Sequence, residues 1–437
     1  MKRLLTRSAW RVRENQLFLA LTVVIGIIAG LGAVLFALSI EAARHFLVGT
    51  DAPWWRVALA PCLASVVSGI LLSRFFPDAR GSGIPQTKIA FHLQDGVMHP
   101  RVALGKFLTA VPVIGAGHSM GREGPSVQIG AALASWAGQW LRLPRERLRD
   151  LIPVGASAAL AAAFNTPVAA VLFSLEEIIA DMNAPLIGST VVAAVSAVVV
   201  ERAILGNEPL FHVPQYRLMH PGELLAYVAL GVIGGIASVA FCKGLLGARA
   251  AFQRMPARSR MWQPAIGGLM IGAILLVTPE VAGVGYEHVD QALNGGLLLR
   301  VAVLLCVMKM AATIVSYASG NAGGIFAPTL YFGAMLGGAV GLIARQFAPF
   351  PVAAPGAYAL VGMGALFAGI IRAPMTSVFM IFEITQDYQI LVPLMVANML
   401  SFVISQRYQP DPIYHALLAQ DGVSLPAHDA AKPHAEV

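Results

Sequence analysis

Three short stretches combine glycine, proline and the beginning of an apolar helical run: GSGIP at 81–85, GREGP at 121–125 and GGIFAP at 323–328. Proline in a first turn with glycine just before it is a helix start signal. A helix that begins in an apolar setting leaves its first N–H groups unpaired and presents the positive end of its dipole, so it needs a cap or an anion. Three such starts are able to surround a small anion without any full positive charge, which suits an ion that must bind and then leave. The same pattern also fits tight turns that serve only helix packing.

Glu123 lies inside one of these starts, in a stretch otherwise empty of acids. A carboxylate at membrane depth costs about 2.5–3.5 kcal/mol on insertion scales, so it implies a proton, a partner or a task. Desolvation favours the neutral acid and the amide-rich helix start favours the carboxylate, a balance suited to carrying protons. Arg122 beside it offers an ion pair as the alternative. Glu176 and Glu177 follow the apolar AAVLFSL. From residue types alone both read as architectural or interface carboxylates. A third pattern, Gly117-His118-Ser119-Met120-Gly121, spells the GxSxG elbow of hydrolases. That motif needs a strand, a turn and a helix within an α/β sheet. Here Pro125 follows four residues later and no α/β alternation exists, so a membrane hydrolase is a remote alternative.

These residues must be positioned by a membrane protein: 57% of the 437 residues are hydrophobic and 12% charged, too little polar surface to dissolve. The fold expected is all-α and polytopic. The apolar runs lack the period-two alternation of an outer-membrane barrel. The net charge of +7 fits cytoplasmic loops and anionic lipid head groups, and nucleic acid is set aside. Cys62, Cys242 and Cys306 are far apart without metal-ligand spacing, and no metal or cofactor is expected. Lys2, Arg3, Arg7, Arg11 and Arg13 precede the charge-free run Leu17 to Ile40, which reads as a retained first span with a cytoplasmic N-terminus. Polar breaks at Arg142 to Asp150, Glu201 to His220 and Arg249 to Arg260 divide the chain into about a dozen pieces, several shorter than the ~20 residues of a full crossing. The runs Leu151–Leu175, Met310–Ala344 and Gln346–Ile371 carry no charge and are interrupted by glycine or proline. They predict helices that break and fold back.

The chain also repeats itself. Lys106 matches Lys309, Gly117 matches Gly320, and GREGPSVQIGA (121–131) lies on GIFAPTLYFGA (324–334), pairing Gly121/Gly324, Pro125/Pro328 and Gly130/Gly333. Further on, Val154/Val361, Gly155/Gly362, Pro167/Pro374 and Glu176/Glu383 pair, and GSGI at 81–84 lies on GVGY at 283–286. Glu123 faces Phe326 and Glu177 faces Ile384, so neither acid is duplicated, whereas Glu176 has a matched acid and a shared architectural role. The expected organisation is a basic cytoplasmic N-terminus over 1–16, a first membrane repeat over 17–210, a second over 211–418, and a polar tail over 419–437. An odd number of crossings per half would make the repeats inverted.

GSGIP, GREGP and GGIFAP in this order, followed by Tyr414 in a PIY segment, resemble the ClC family of chloride channels and chloride/proton exchangers, over about Leu17 to Leu418. The resemblance implies two inverted repeats of tilted, partly re-entrant helices and a homodimer with a separate pore in each subunit. It implies that the Ser82 and Tyr414 hydroxyls and the amides around Ile325 and Phe326, with Gly83, Ile84 and Gly124 of the same helix starts, hold chloride. Glu123 then matches the gating glutamate that competes with chloride and carries the proton. Glu177, second of the paired glutamates, matches the internal proton-transfer residue of exchangers. Ser82 stands where nitrate-selective members tend to carry proline. Gln86 departs from the glutamate common after GSGIP, which puts local salt bridging in doubt. The lack of C-terminal CBS domains points to a bacterial form, in the ClcB-like branch. The expected activity is chloride/proton exchange across an inner membrane, with chloride, protons and the lipid bilayer as partners; the alternative is a passive voltage-gated chloride channel on the same scaffold.

Overall fold

The computed structural model describes residues 2–49, 52–183, 185–207, 210–211, 213–214 and 216–426, with side chains from residue 16 onward. The five basic side chains before residue 16 and positions 427–437 of the tail lie outside the described residues. Helices account for the described chain: α1 (Lys2–Leu47), α2 (Trp54–Arg74), α3 (Ile84–Leu93), α4 (Pro100–Gly115), α5 (Glu123–Trp140), α6 (Arg145–Phe164), α7 (Pro167–Phe173), α8 (Ile187–Leu205), α9 (Leu224–Gln253), α10 (Gln263–Val277), α11 (Tyr286–Leu293), α12 (Leu299–Ala318), α13 (Phe326–Phe347), α14 (Pro355–Ile371), α15 (Pro374–Thr385), α16 (Leu391–Tyr408) and α17 (Ile413–Gln420). Extended pairing among the described residues is limited to two isolated bridges, Gly81 with Ala322 and Gly121 with Gly324.

Among the described residues, six helices are long and apolar enough to cross a membrane: Gln16–Leu47, Trp54–Arg74, Ile187–Leu205, Pro221–Gln253, Leu299–Ala318 and Phe326–Phe347. The others are shorter or interrupted. The uncharged run at 151–175 folds back as expected: α6 stops at Asn165, in the left-handed region at φ 57°, and Pro167 opens α7. Its repeat counterpart behaves alike, with Arg372 at φ 70° ending α14 and Pro374 opening α15. The three polar breaks are each partly helical, and α8 runs on to Leu205. α6 begins at Arg145 and α9 continues to Gln253, because arginine and glutamate are good helix formers and an interfacial helix end keeps its charges in water.

The centre is built from small residues that let backbones approach. A Cβ on Gly130 would overlap the carbonyl of Gly155 where α5 crosses α6, and one on Gly362 would overlap the carbonyl of Gly333 where α13 crosses α14. These are repeat-matched crossings. Gly26 and Gly30 of α1 seat Ala193 and Ala197 of α8 in the same way. α14 is buried along its whole length, while α8 and α16 expose Val191, Val195, Val199, Met395, Met399 and Val403 on their outer faces. The apolar outside and sealed inside are those of a helix bundle in lipid.

Gly130→Val should lower the unfolding free energy of the detergent-solubilised protein by about 1–3 kcal/mol, the usual cost of overpacking a tight contact. Gly188→Val, where an added Cβ meets nothing within 4 Å, should change it by less than about 0.5 kcal/mol. Thermal unfolding of the two variants side by side checks this.

Candidate functional site

The three glycine-rich loops are sewn to one another before their helices begin. Gly121 N–H donates to Gly324 O (2.7 Å) and Gly324 N–H returns the bond to Gly121 O (2.8 Å), while Gly323 N–H donates to Gly81 O (3.1 Å). Gly121 and Gly324 are repeat-matched, so the bond pair is reciprocal across the two halves. The approach leaves no room for side chains: a Cβ on Gly124 would lie 2.7 Å from both Ser82 O and Ser82 Oγ, and one on Gly83 would lie 2.7 Å from Gly124 O. Gly83 also adopts φ 102°, which a side chain resists. The starts of α3, α5 and α13 therefore converge on one point, with Ile84, Gly124, Ile325 and Phe326 all buried around it.

Two hydroxyls point into this convergence. Ser82 Oγ, in the loop before α3, and Tyr414 Oη, in the first turn of α17, are wholly buried, lie near one another and make no regular hydrogen bond. Buried donors in proteins are almost always paired. Both O–H groups lie beside the three helix starts without a regular partner. Phe326 closes one side, its ring packed on Phe367 (4.5 Å between centroids), Phe164 (5.0 Å) and Phe173 (5.6 Å).

Glu123 opens α5 and is fully buried. Its Oε1 accepts a 2.6 Å hydrogen bond from the Tyr286 hydroxyl of α11. Oε2 is turned toward the Glu123 and Ala327 amides at the starts of α5 and α13 without regular hydrogen-bond geometry. Arg122, the alternative partner, donates instead to Ala163 O (3.3 Å) and stands 5.7 Å from the Tyr286 ring centroid. The carboxylate thus lies beside amides at the convergence of the helix starts.

The paired glutamates part company. The helix widens into a π turn over Ser174–Ile179, a distortion common at functional sites. Glu176 faces α15, accepting from Met375 N (3.0 Å), Thr376 N (2.7 Å) and Thr376 Oγ1 (2.6 Å). Glu383 does the same for α7, accepting from Val168 N (2.9 Å) and Ala169 N (2.7 Å). Each repeat caps the other. Glu177 turns inward to a partner that sequence reading missed: Lys88 of α3, whose Nζ donates to Oε1 at 2.6 Å and also lies 2.8 Å from His415 Nε2. Lys88 is a lone cation on an apolar helix, which could have flagged it; its pairing with an acid 89 positions away could not be read.

Gln86 resolves the question of the common glutamate. Its Oε1 accepts from Gly83 N (3.0 Å) and its Nε2 donates to Arg80 O (3.0 Å), so the amide ties the loop with both ends and needs no cation. Below this loop opens a cavity of about 760 Å³ lined by Arg80, Arg249, Arg258, Arg260, Gln86 and Tyr317. A second, of about 700 Å³, is lined by Phe164, Arg202, Phe211 and Glu383; Phe211 packs on Tyr286, which holds Glu123. The GHSMG elements look elsewhere. Ser119 Oγ bonds to Thr313 Oγ1 (2.9 Å), and His118 lies between Ser65 Oγ (2.7 Å) and Ser316 Oγ (3.2 Å), all buried. Neither the exposed nucleophile nor the serine–histidine contact of an elbow is formed.

Residues 64–406 match the model of the voltage gated chloride channel family. A relative from Vibrio cholerae, the H(+)/Cl(-) exchange transporter ClcA, is 33% identical over 92% of this chain and 88% of its own length. A chloride channel protein of ClcB-like type from Ralstonia nicotianae is 32% identical over 92% and 97%. These near-equal identities do not separate the two branches. Among solved structures, a slow cyanobacterial Cl−/H+ antiporter superposes with a TM-score of 0.84 at 29% identity, covering 92% of this chain and 97% of that one.

The reciprocal caps predict a stability effect separable from ion movement. Glu383→Ala should cost about 0.5–2 kcal/mol, as for other lost helix caps, and Glu383→Gln, which still accepts a bond, should cost less. Thermal unfolding of the two variants ranks them.

Proposed function

This multi-pass membrane chain belongs to the voltage gated chloride channel family, and on that premise we propose that it exchanges chloride for protons across a bacterial inner membrane. The observation that carries the reading is the pair of orphaned hydroxyls, Ser82 Oγ and Tyr414 Oη, at the meeting of three helix starts. Chloride accepts from both hydroxyls and from the amides about Ile325 and Phe326, with Gly83, Ile84 and Gly124 giving the backbone its close approach. The arginine-lined cavity below Gln86 raises the local anion concentration at the entrance.

Coupling follows from competition. The amides at the starts of α5 and α13 neutralise one negative group at a time, either the Glu123 carboxylate or an arriving chloride. Protonation makes Glu123 neutral, removes its claim on those amides and frees it to swing aside, so chloride entry and proton uptake alternate on one group. Glu177 supplies the second proton position, on the π turn after α7 and paired with Lys88. The Lys88 ion pair favours a second reading, a passive voltage-gated chloride channel, since a carboxylate with a counter-ion needs no proton to be buried. Two copies form the working unit, with the N-terminus in the cytoplasm. The first repeat, 17–210, carries both acids, and the second, 211–418, supplies Ile325, Phe326 and Tyr414.

In proteoliposomes, a chloride gradient should drive protons against their own gradient; chloride movement with no proton movement in the wild type selects the channel. Glu123→Gln, a permanent stand-in for the protonated gate, should leave chloride movement that no longer depends on pH and no coupled protons. Proton pumping in that variant removes Glu123 from the role. Ser82→Pro deletes one hydroxyl donor and should raise nitrate flux relative to chloride; an unchanged ratio takes Ser82 out of the anion site.

A further inference from the structure

Lys88, Glu177 and His415 form a buried chain of three titratable side chains drawn from α3, the π turn after α7, and α17. The Lys88 and Glu177 side chains are 2% and 5% exposed, and His415 is half-buried. The other titratable groups facing them are His92 on α3, Glu176 on the π turn, Tyr414 on α17 and exposed Asp411 just before α17. Glu176 is engaged by α15, and His92 Nε2 lies 2.9 Å from Ile178 O. The three-member chain runs unbroken, at 2.6 and 2.8 Å, from the half-buried His415 to the interior Glu177.

Stability does not explain such a pair. Taking an ammonium and a carboxylate out of water costs about as much as their attraction returns, and apolar residues of the same volume often serve as well or better. The chemistry explains it. A lysine ammonium has no lone pair, so His415 Nε2 accepts from it and the ring keeps its own proton on Nδ1. Moving one proton from Nζ to Glu177 Oε1 turns an ammonium and a carboxylate into an amine and an acid. The pair is neutral before and after, so the transfer creates no net charge in the apolar interior.

Resting on the exchange reading above, we propose that Lys88 is the immediate proton donor to Glu177 and that His415 restores it. The balance closes in three steps. Lys88 Nζ gives a proton to Glu177 Oε1 and becomes a neutral amine. The half-buried His415 ring turns outward, binds a proton from water on Nε2 to become imidazolium, and turns back. Its Nε2–H then passes to the Nζ lone pair, leaving Lys88 an ammonium and His415 neutral with Nδ1 protonated. Glu177 meanwhile releases its proton onward as a carboxylate. One proton enters and one leaves per cycle, and no other reactant is needed.

The test measures chloride efflux and chloride-driven proton uptake in the same proteoliposomes for wild type, Lys88→Met, Lys88→Arg and His415→Gln. Arginine keeps the positive charge and the ion pair but does not give up its proton. A relay therefore predicts that Lys88→Arg and Lys88→Met both lose proton uptake by at least about tenfold while chloride still moves, since ~1.4 kcal/mol in a barrier already gives that factor. A purely structural ion pair predicts rescue by arginine, and Lys88→Arg pumping at the wild-type rate overturns the proposal. His415→Gln keeps an acceptor for Lys88 but cannot titrate, so proton uptake should fall and lose its dependence on internal pH in the acid range where the ring titrates, burial and then Lys88 holding it below the usual histidine value. If Lys88→Arg carries no chloride and is thus misfolded, the histidine variant decides alone: an unchanged pH profile overturns the relay. A wild type that moves chloride without protons fails the exchange reading and the relay with it, whereas a pumping wild type with pumping variants fails the relay only.

Discussion

A helix that starts inside a membrane carries amide hydrogens that neither water nor its own turns can satisfy, and everything at the centre of this molecule depends on that deficit. Three helices begin there, and the loops before them pair through Gly121, Gly324, Gly81 and Gly323. The bridges fix where the positive helix ends point, and the glycines that permit them decide how closely those ends approach. Serine, tyrosine and glutamate side chains then act at distances set by backbone. The convergence of helix starts is in this sense a property of the main chain, trimmed by a few side chains.

Two buried lysines reinforce the arrangement from behind. Lys106 Nζ donates to Ala79 O (2.6 Å) and Gly81 O (2.8 Å), and its repeat match Lys309 donates to Val281 O (2.9 Å) and Gly283 O (2.7 Å). Each ammonium collects the carbonyls of a tight turn that has no helix to join. The α3 loop is thus held three times, by Lys106, by Gln86 and by the bond to Gly323. A loop so restrained keeps the Ser82 hydroxyl aimed without spending that hydroxyl on a neighbour.

Much of this was legible because the deficit leaves marks in sequence. Glycine followed by proline at three places announced the helix starts, and an isolated Glu123 announced a buried acid in need of a partner, which Tyr286 supplies. The matched Lys106/Lys309 and Glu176/Glu383 pairs announced shared architecture, though not that Glu176 and Glu383 cap each other's helices. Tyr414 was not readable from its surroundings; only resemblance to a family set it beside Ser82, which is more than three hundred residues away in sequence. Lys88 and His415 escaped for the same reason. An ion pair is a fact about two distant helices, and a lysine in apolar text gives no address for its acid. The polar breaks misled at their edges, since an arginine-rich segment reads as a loop in composition and forms the first turns of α6 in space.

The exchange of caps between the halves also bears on how the chain is made. Val168 and Ala169 open α7 early in synthesis, yet the carboxylate that satisfies them belongs to Glu383, more than two hundred residues later. α15 in turn emerges with its cap, Glu176, already waiting. The first half is therefore an intermediate with an open helix start in or near lipid until almost the whole polypeptide has left the ribosome, and its last contacts are among the most distant in sequence, the kind that form slowly. Each half thus holds a helix start that only a carboxylate of the other half caps.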